Sequence, residues 1–375
     1  AHPTQARRRR TRPPKAAPPP PPPLRVLLLS SLRLATGNVQ TALRLRRLLA
    51  RMGCVVLTLD VDATDGDRLR SVVEAERVDA VVGIHALRAG RSMLALPEHV
   101  RTAVILGGTD VHRDSKEPEK RTVMLQAIRR AAAVVAFNEP LRQGALEWLK
   151  AEAAGEGRKQ EEKAINVMRV PQAVAVPGKE SGSFSLRRAL NLGDSDIMLL
   201  LPAGWRAVKD PLFLRDAVEA WHEEDERIHL VLVGPPLEPE TTAAVAEAAA
   251  SPSGAIRRHA ALPHAHLLDA MREADAVLNS SMSEGECNVI LEAMALGTPV
   301  LARDVAGNAA LVTHRENGLV FGTPGEFATL GKELVASATL REKLVQGGKE
   351  RLQRTHSASA EEASYAQLVN LLRHG

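Results

Sequence analysis

Short, mainly apolar runs alternate with segments of helical length along most of this chain. Leu24 to Leu29, Val55 to Leu59, Ala80 to Gly83, Ala103 to Leu106 and Ala133 to Phe137 have the length and aliphatic content of buried strands. Between them, Asn38 to Met52, Asp67 to Glu76, Glu117 to Ala131 and Pro140 to Ala153 have the length and composition of helices. A parallel strand pair needs a crossover long enough to hold a helix, so this alternation predicts a parallel sheet covered on both faces. After the polar stretch Gly178 to Ser185 the pattern restarts, with strands expected at Ile197 to Leu201, His229 to Val233, Ile256 to His259, Ala276 to Asn279 and Pro299 to Ala302. The fold class is therefore α/β, with two doubly wound, Rossmann-like domains. Residues 1–23 form an arm, 24–178 a first domain, 179–185 a linker and 186–355 a second domain. The remainder, 356–375, holds a terminal helix over Ala360 to His374 that can cross back to the first domain. Lys150 to Lys163 reads as a solvated charged connection. Ligands of doubly wound folds bind beyond the carboxyl ends of the strands, so the informative residues are those that follow each apolar run.

Charge changes the picture only once it is located. The 375 residues carry a formal +4, which by itself invites a polyanionic partner. Arg7, Arg8, Arg9, Arg10, Arg12 and Lys15 supply six positive charges without one acid, so residues 24–375 carry a net −2 and no nucleic-acid partner is expected. Six prolines, Pro18 to Pro23, stand where a signal peptide would have its apolar core, and they prevent the amphipathic helix of a transit peptide. A disordered polyproline arm is the simpler reading, with import through an N-terminal segment left open. No apolar run reaches the length of a membrane span. Cys54 and Cys287 are the only cysteines, which excludes a disulfide scaffold and a four-cysteine zinc site and points to a reducing, cytoplasmic compartment.

The chemistry concentrates in Ser280 to Gly307, SSMSEGECNVILEAMALGTPVLARDVAG. Glu284 and Glu292 stand eight residues apart, with Gly285 at the expected turn from strand to helix. A helix start exposes free N–H groups and about half a unit of positive charge, which suits an anionic ligand. Carboxylates beside it can accept from paired sugar hydroxyls. Arg206 and Lys209, in AGWRAVKDP, follow another strand, and Asp210 with Pro211 reads as a cap and first turn opening the next helix. Two cations on such a loop suit a diphosphate leaving group. In the first half, Thr36, Gly37 and Asn38 follow the first strand, His85 the third, and Gly108, Thr109 and Asp110 the fourth. Gly37 lets a ligand approach the backbone, and Asn38 can equally be a plain cap.

Glu284 and Glu292, followed by Ala293, Met294, Gly297, Pro299 and Val300 in EAMALGTPVLARD, resemble the donor-site signature of family-4 retaining glycosyltransferases. TGN at Thr36 to Asn38, GGTDV at Gly107 to Val111, VKDPL at Val208 to Leu212 and GNAALV at Gly307 to Val312 extend the resemblance along the body. It implies the two-domain GT-B fold, with both domains facing a cleft, and transfer of a sugar from a nucleoside-diphosphate donor to an unidentified acceptor. It implies retention of configuration, no metal and no cofactor beyond the nucleotide-sugar co-substrate. Glu284 would contact the donor hexose, Glu292 the ribose, Arg206 and Lys209 the diphosphate, and His85 the sugar. Gly37, Asn38, Gly234, Gly285, Asn288 and Val289 complete the implied donor set, with Gly108, Thr109 and Asp110 on the acceptor side. The sequence departs from the family where Glu286 and Cys287 replace Phe-Gly, and Arg206 and Lys209 are closer together than usual. An added carboxylate, Glu286, is then expected near the diphosphate. It motivates an inactive scaffold as an alternative to an enzyme, beside transfer to a small inorganic or thiol-type acceptor.

Other motifs carry less. Asp60-Val61-Asp62 has the form of a metal-binding DxD, but its continuation lacks the spacing of a calcium loop, and a strand-end loop is expected. His259, His264 and His266 do not share a helix face as zinc ligands would. No GxGxxG, P-loop or GxSxG occurs.

Overall fold

The computed structural model of the protein describes residues 22–32, 37–155, 165–174 and 184–374. Residues 1–21 of the arm, Thr36, residues 156–163 of the charged connection and residues 179–183 of the linker lie outside the described residues.

Twelve strands form two six-stranded sheets among the described residues. The first holds β1 Arg25–Ser30, β2 Val55–Asp60, β3 Ala80–Ile84, β4 Arg101–Ile105, β5 Ala133–Ala136 and β6 Val167–Arg169, in the order β2-β1-β3-β4-β5-β6. The second holds β7 Ile197–Pro202, β8 Ile228–Val233, β9 Ile256–His259, β10 Ala276–Asn279, β11 Val300–Arg303 and β12 Leu319–Phe321, in the order β12-β11-β10-β7-β8-β9. Every pairing is parallel. Strand order therefore reverses between β1 and β3 in one sheet and between β7 and β10 in the other, and a crevice opens at each reversal because the connections leave in opposite directions.

Burial on both faces explains the apolar runs. In β7, Leu199 and Leu201 enter one core of the second domain while Met198 and Leu200 enter another on the opposite face. Leu230 and Leu232 of β8 divide from Val231 and Val233 in the same way, as period-two side-chain alternation requires. Each fully buried aliphatic side chain contributes about 1.5–3 kcal/mol, so both faces need their helical cover. The terminal helix Ala358–His374 places Tyr365, Leu368, Val369 and Leu372 in the core of the first domain. The chain thus crosses between domains twice, once after β6 and once before this helix.

Several local expectations change. β6 and β12 join the sheets as three-residue edge strands, and a helix, Ala86–Met93, follows β3 directly. Asp210 does not open a helix. It sits in a left-handed conformation (φ 43°) closing the single turn Ala207–Lys209, and the next helix starts only at Arg215. Its carboxylate is 2.9 Å from Arg303 Nη1, whose guanidinium stacks 3.7 Å from the centre of the Phe213 ring. Asp60 caps a short turn by accepting from the Asp62 amide, and Asp62 accepts from Ser31 Oγ at 2.7 Å, which makes the DxD a structural loop. Among the described residues, no helix is long and apolar enough to cross a membrane.

Candidate active site at the domain interface

Lys209 follows β7 and Glu284 follows β10, the two strands that flank the reversal in the second sheet. Seventy-five residues apart in sequence, they meet with Lys209 Nζ 2.5 Å from Glu284 Oε1. Asn279 Nδ2 at 3.0 Å and Ser281 Oγ at 2.7 Å donate to the same oxygen. Asn308 supports Asn279 in turn by donating to its Oδ1 at 2.9 Å. Burial alone would raise the Glu284 pKa, but the Lys209 charge and these three hydrogen bonds outweigh it and hold the carboxyl below its ordinary range. Glu284 is thus an ionised carboxylate in a site only 9% exposed. Ser280 Oγ donates to the carbonyls of Lys209 and Asp210, which keeps the two loops in register.

Arg206 begins the Lys209 turn. Burial lowers its pKa, Glu284 opposes that effect, and Arg88 and Arg113 from the first domain add to it. Its Nε is buried without a hydrogen-bond partner. A guanidinium held among like charges with an open donor is suited to receive an anion.

The helix Asn288–Leu296 carries no acid in its first turn, and neither does Gly37–Arg51 of the first domain. Their starts face one another: Asn288 Nδ2 donates to the Gly37 carbonyl at 3.4 Å. The two positive helix ends are therefore neighbours, and an anion placed beside both would gain from each. Asn38 lies within the first turn and is no cap. The Val289 side chain packs against the second core, so the start of that helix offers its backbone there.

Glu292 Oε1 lies 2.8 Å from His264 Nε2. The hydrogen bond to Glu292 raises the His264 pKa despite burial, so the ring keeps its proton to higher pH than an ordinary histidine. The stabilisation from this pair is present below the unfolded histidine pKa of about 6.5 and is lost as pH rises through the higher folded value. An NMR titration should give His264 a midpoint above that of Glu292→Gln; equal midpoints would show that the pair does not form. His266 stacks on Phe184 with ring centres 5.0 Å apart, so the histidines do not gather as a metal site.

In the first domain, His85 follows β3 in a positive-φ conformation (80°). Its Nδ1 is 2.6 Å from Asp110 Oδ1 and its Nε2 is 2.5 Å from Thr109 Oγ1. Asp110 was expected on the acceptor side of the cleft, but it is fully buried. It accepts from the amides of Ala86, Leu87 and Gly107, which leaves it the task of orienting His85. Burial raises its pKa, but His85 and the backbone donors prevail and keep it ionised. His85, Asp110 and Asp114 offer ligand atoms within 4.8 Å of one another. The imidazole already engages Asp110, and Lys120 Nζ stands 3.6 Å from Asp114, so the trio is internally compensated.

Gly108 meets Gly285 backbone to backbone, and Asn138 Nδ2 donates to the Gly285 carbonyl at 2.6 Å. Two further expected site residues have these surroundings. Gly234, expected in the donor set, is buried against the Ala203 carbonyl, and its amide donates to the His259 carbonyl at 3.3 Å. Glu286 was expected near the diphosphate, yet its side chain is 1% exposed and accepts from the Gln172 amide at 2.9 Å. Cys287 is buried, and burial together with Glu284 pushes its thiol up to about 12, which removes it as a nucleophile at neutral pH. Residue-type reasoning missed Asn279, Ser281, Asn138, Asn308 and His264. Polar residues directly after a buried strand, as in Asn279-Ser280-Ser281, were the available signal.

Residues 198–337 match the family model described as glycosyl transferases group 1. Glycosyltransferase 1 domain-containing protein 1 of Xenopus tropicalis is 31% identical over 354 residues, covering 92% of this chain and 97% of that protein. Among solved structures, the sucrose-phosphate synthase of Thermosynechococcus elongatus superposes with a TM-score of 0.71 at 16% identity, covering 93% of this chain and 99% of that one. Anabaena HepE in complex with UDP and glucose gives 0.69 at 16% identity, covering 92% and 99%. The architecture is that of the GT-B fold, with two parallel-sheet domains and flanking helices.

Proposed function

The chain belongs to the group 1 glycosyltransferases, and we propose that it moves a sugar from a nucleoside-diphosphate donor to an acceptor, with retention of configuration and without a metal. The observation that carries this reading is the Lys209–Glu284 pair at the strand-order reversal, set beside Arg206 and two neighbouring helix starts. Lys209 and Arg206 hold the diphosphate. As the bond from the sugar's anomeric carbon to the phosphate oxygen breaks, negative charge grows where these cations stand, and stabilisation confined to the transition state raises turnover. The acceptor oxygen forms the new bond on the same face, and its proton passes to the departing phosphate oxygen. Glu284 accepts from hexose hydroxyls, Glu292 from the ribose, and His85, oriented by Asp110 and Thr109, faces the sugar from the first domain. HepE, which shares the fold, is seen with UDP and glucose, a donor's two halves.

An inactive scaffold loses its main motive, because the Glu286 carboxylate is turned into the protein and places no negative charge against the diphosphate. The paired cations and helix starts supply the positive charge a divalent ion would bring. Both cysteines are free and buried, which suits a reducing compartment.

A calorimetric panel of UDP-, GDP- and ADP-sugars, followed by mass spectrometry for released nucleoside diphosphate and glycosylated acceptor, tests the reading. Binding with release supports it; binding without turnover on any acceptor favours the scaffold. Glu284→Gln keeps the shape and removes the charge, so turnover should fall at least about tenfold, equivalent to about 1.4 kcal/mol of transition-state stabilisation. Unchanged turnover would remove Glu284 from the hexose site.

A further inference from the structure

Glu286 lies two residues beyond Glu284 and faces away from the proposed donor site. Its side chain, 1% exposed, meets both places where the chain crosses between domains. Oε2 accepts from the Gln172 amide at 2.9 Å, just after β6 on the first crossing. Oε1 lies 3.5 Å from Nε2 of His356, itself 3% exposed at the second crossing. Gln172 is anchored in turn: its Oε1 accepts from Thr41 Oγ1 at 2.9 Å and Arg44 Nη2 at 2.8 Å on the first-domain helix that begins at Gly37. Arg44 also stands 2.6 Å from Glu361 of the terminal helix. A carboxylate this deep is costly without partners, and the Gln172 amide loses its acceptor if Glu286 leaves. The Glu284 loop is therefore tied at its far end to the two crossings, while its near end is held by Lys209, Asn279 and Ser281.

We propose that Glu286 is a positioning residue that couples domain closure to the placement of Glu284. His356 caps the second-domain helix Ala338–Thr355 and so holds one Glu286 oxygen within that domain. Separation of the domains moves Gln172, which is anchored to the first-domain helix, and Glu286 carries that displacement into the loop holding the hexose-side carboxylate. Glu284 then meets the donor only when the domains have closed and water is excluded. The inference rests on the proposed transferase reading for its catalytic consequence; the mechanical tie stands on the contacts alone.

The test uses the full chain with Glu286→Ala, which removes both contacts, and Glu286→Gln, which keeps an acceptor for the Gln172 amide. UDP affinity should fall less than transfer does, because Lys209, Arg206 and the Asn288 helix start are untouched and only the Gly37 helix start of the first domain is displaced. The ratio of donor hydrolysis to sugar transfer should rise at least about fivefold in Glu286→Ala and be largely restored in Glu286→Gln, since loss of closure admits water. Hydrogen exchange of peptides covering 280–287 and 170–174 should accelerate together in Glu286→Ala, while β7 and β8 keep their protection. An unchanged ratio, or a loss of UDP affinity equal to the loss of transfer, overturns the coupling. If the wild-type protein turns over no donor, the transferase reading fails and exchange decides the tie by itself: acceleration confined to 170–174 refutes it, and joint acceleration upholds it.

Discussion

Lys209→Ala should lower turnover by about two to three orders of magnitude, the loss that follows removal of one group aimed at transition-state charge. The same substitution should destabilise the protein in a pH-dependent manner. Lys209 Nζ stands 2.5 Å from Glu284 Oε1, and Glu284 is ionised only because that charge and three hydrogen bonds outweigh burial. Without the lysine, Asn279 and Ser281 remain as donors but the compensating charge is gone, at a cost of about 2 kcal/mol for a charge-assisted bond. A carboxyl whose folded pKa is depressed contributes stability above its unfolded pKa of about 4.3, and that contribution is lost as pH falls through the lower folded value. The stability gap between wild type and Lys209→Ala should therefore be widest near neutrality and shrink in acid, as urea unfolding at several pH values would show. Adding Glu284→Gln to Lys209→Ala should recover part of the gap. A gap independent of pH would remove the pair from its stabilising role, and a variant with wild-type turnover and UDP affinity would remove Lys209 from the diphosphate site.

Gly108→Ala should cost at least about a hundredfold in transfer, the scale expected when reacting groups are displaced by roughly 1 Å. A Cβ at position 108 would lie 2.2 Å from the Gly285 amide nitrogen and 2.5 Å from the Glu284 carbonyl carbon. Both are backbone atoms, so the only relief is for the domains to part. UDP affinity should fall less than transfer does, because Lys209, Arg206 and the Asn288 helix start belong to the second domain and only the Gly37 helix start is withdrawn. Gly325→Ala is the control: it lies within the helix Pro324–Ala336, and its Cβ would meet nothing within 4 Å. That variant should be at least as stable as the wild type and keep its activity. Full activity in Gly108→Ala would mean that the contact with Gly285 is absent from the reactive state.

The alternation of apolar runs was enough to place ten of the twelve strands. It missed β6 and β12, which have three residues each at sheet edges, too few to stand out from their surroundings. It also missed the helix Ala86–Met93, whose small residues hide an amphipathic face that buries Leu87 and Met93. Within the candidate site, Glu284 and Lys209 were legible as charges on the segments that follow strands, and Glu292 by its spacing of eight from Glu284 on the helix after β10. Asp110 and Glu286 were legible as acids but misplaced, since residue type does not say to which side of a turn a carboxylate points. Asp110 turned inward to three backbone amides and Glu286 to Gln172 and His356. Asp210, in a sequence suited to a helix cap, took a left-handed turn with its carboxylate on Arg303.

Strand and helix identity depend on side-chain period and local propensity, which act between near neighbours, so residue order alone settled the α/β class and the two-domain plan. The order of strands within each sheet depends on which apolar faces pack best over long separations, and it is that order which brings the ends of β7 and β10 together. Lys209 and Glu284 were visible as charges in the chain; their meeting 75 residues apart, the opposition of the Gly37 and Asn288 helix starts, and the inward turn of Glu286 came from packing. A buried carboxylate takes whichever donors the folded chain brings to it, and those donors are settled only when both domains are assembled.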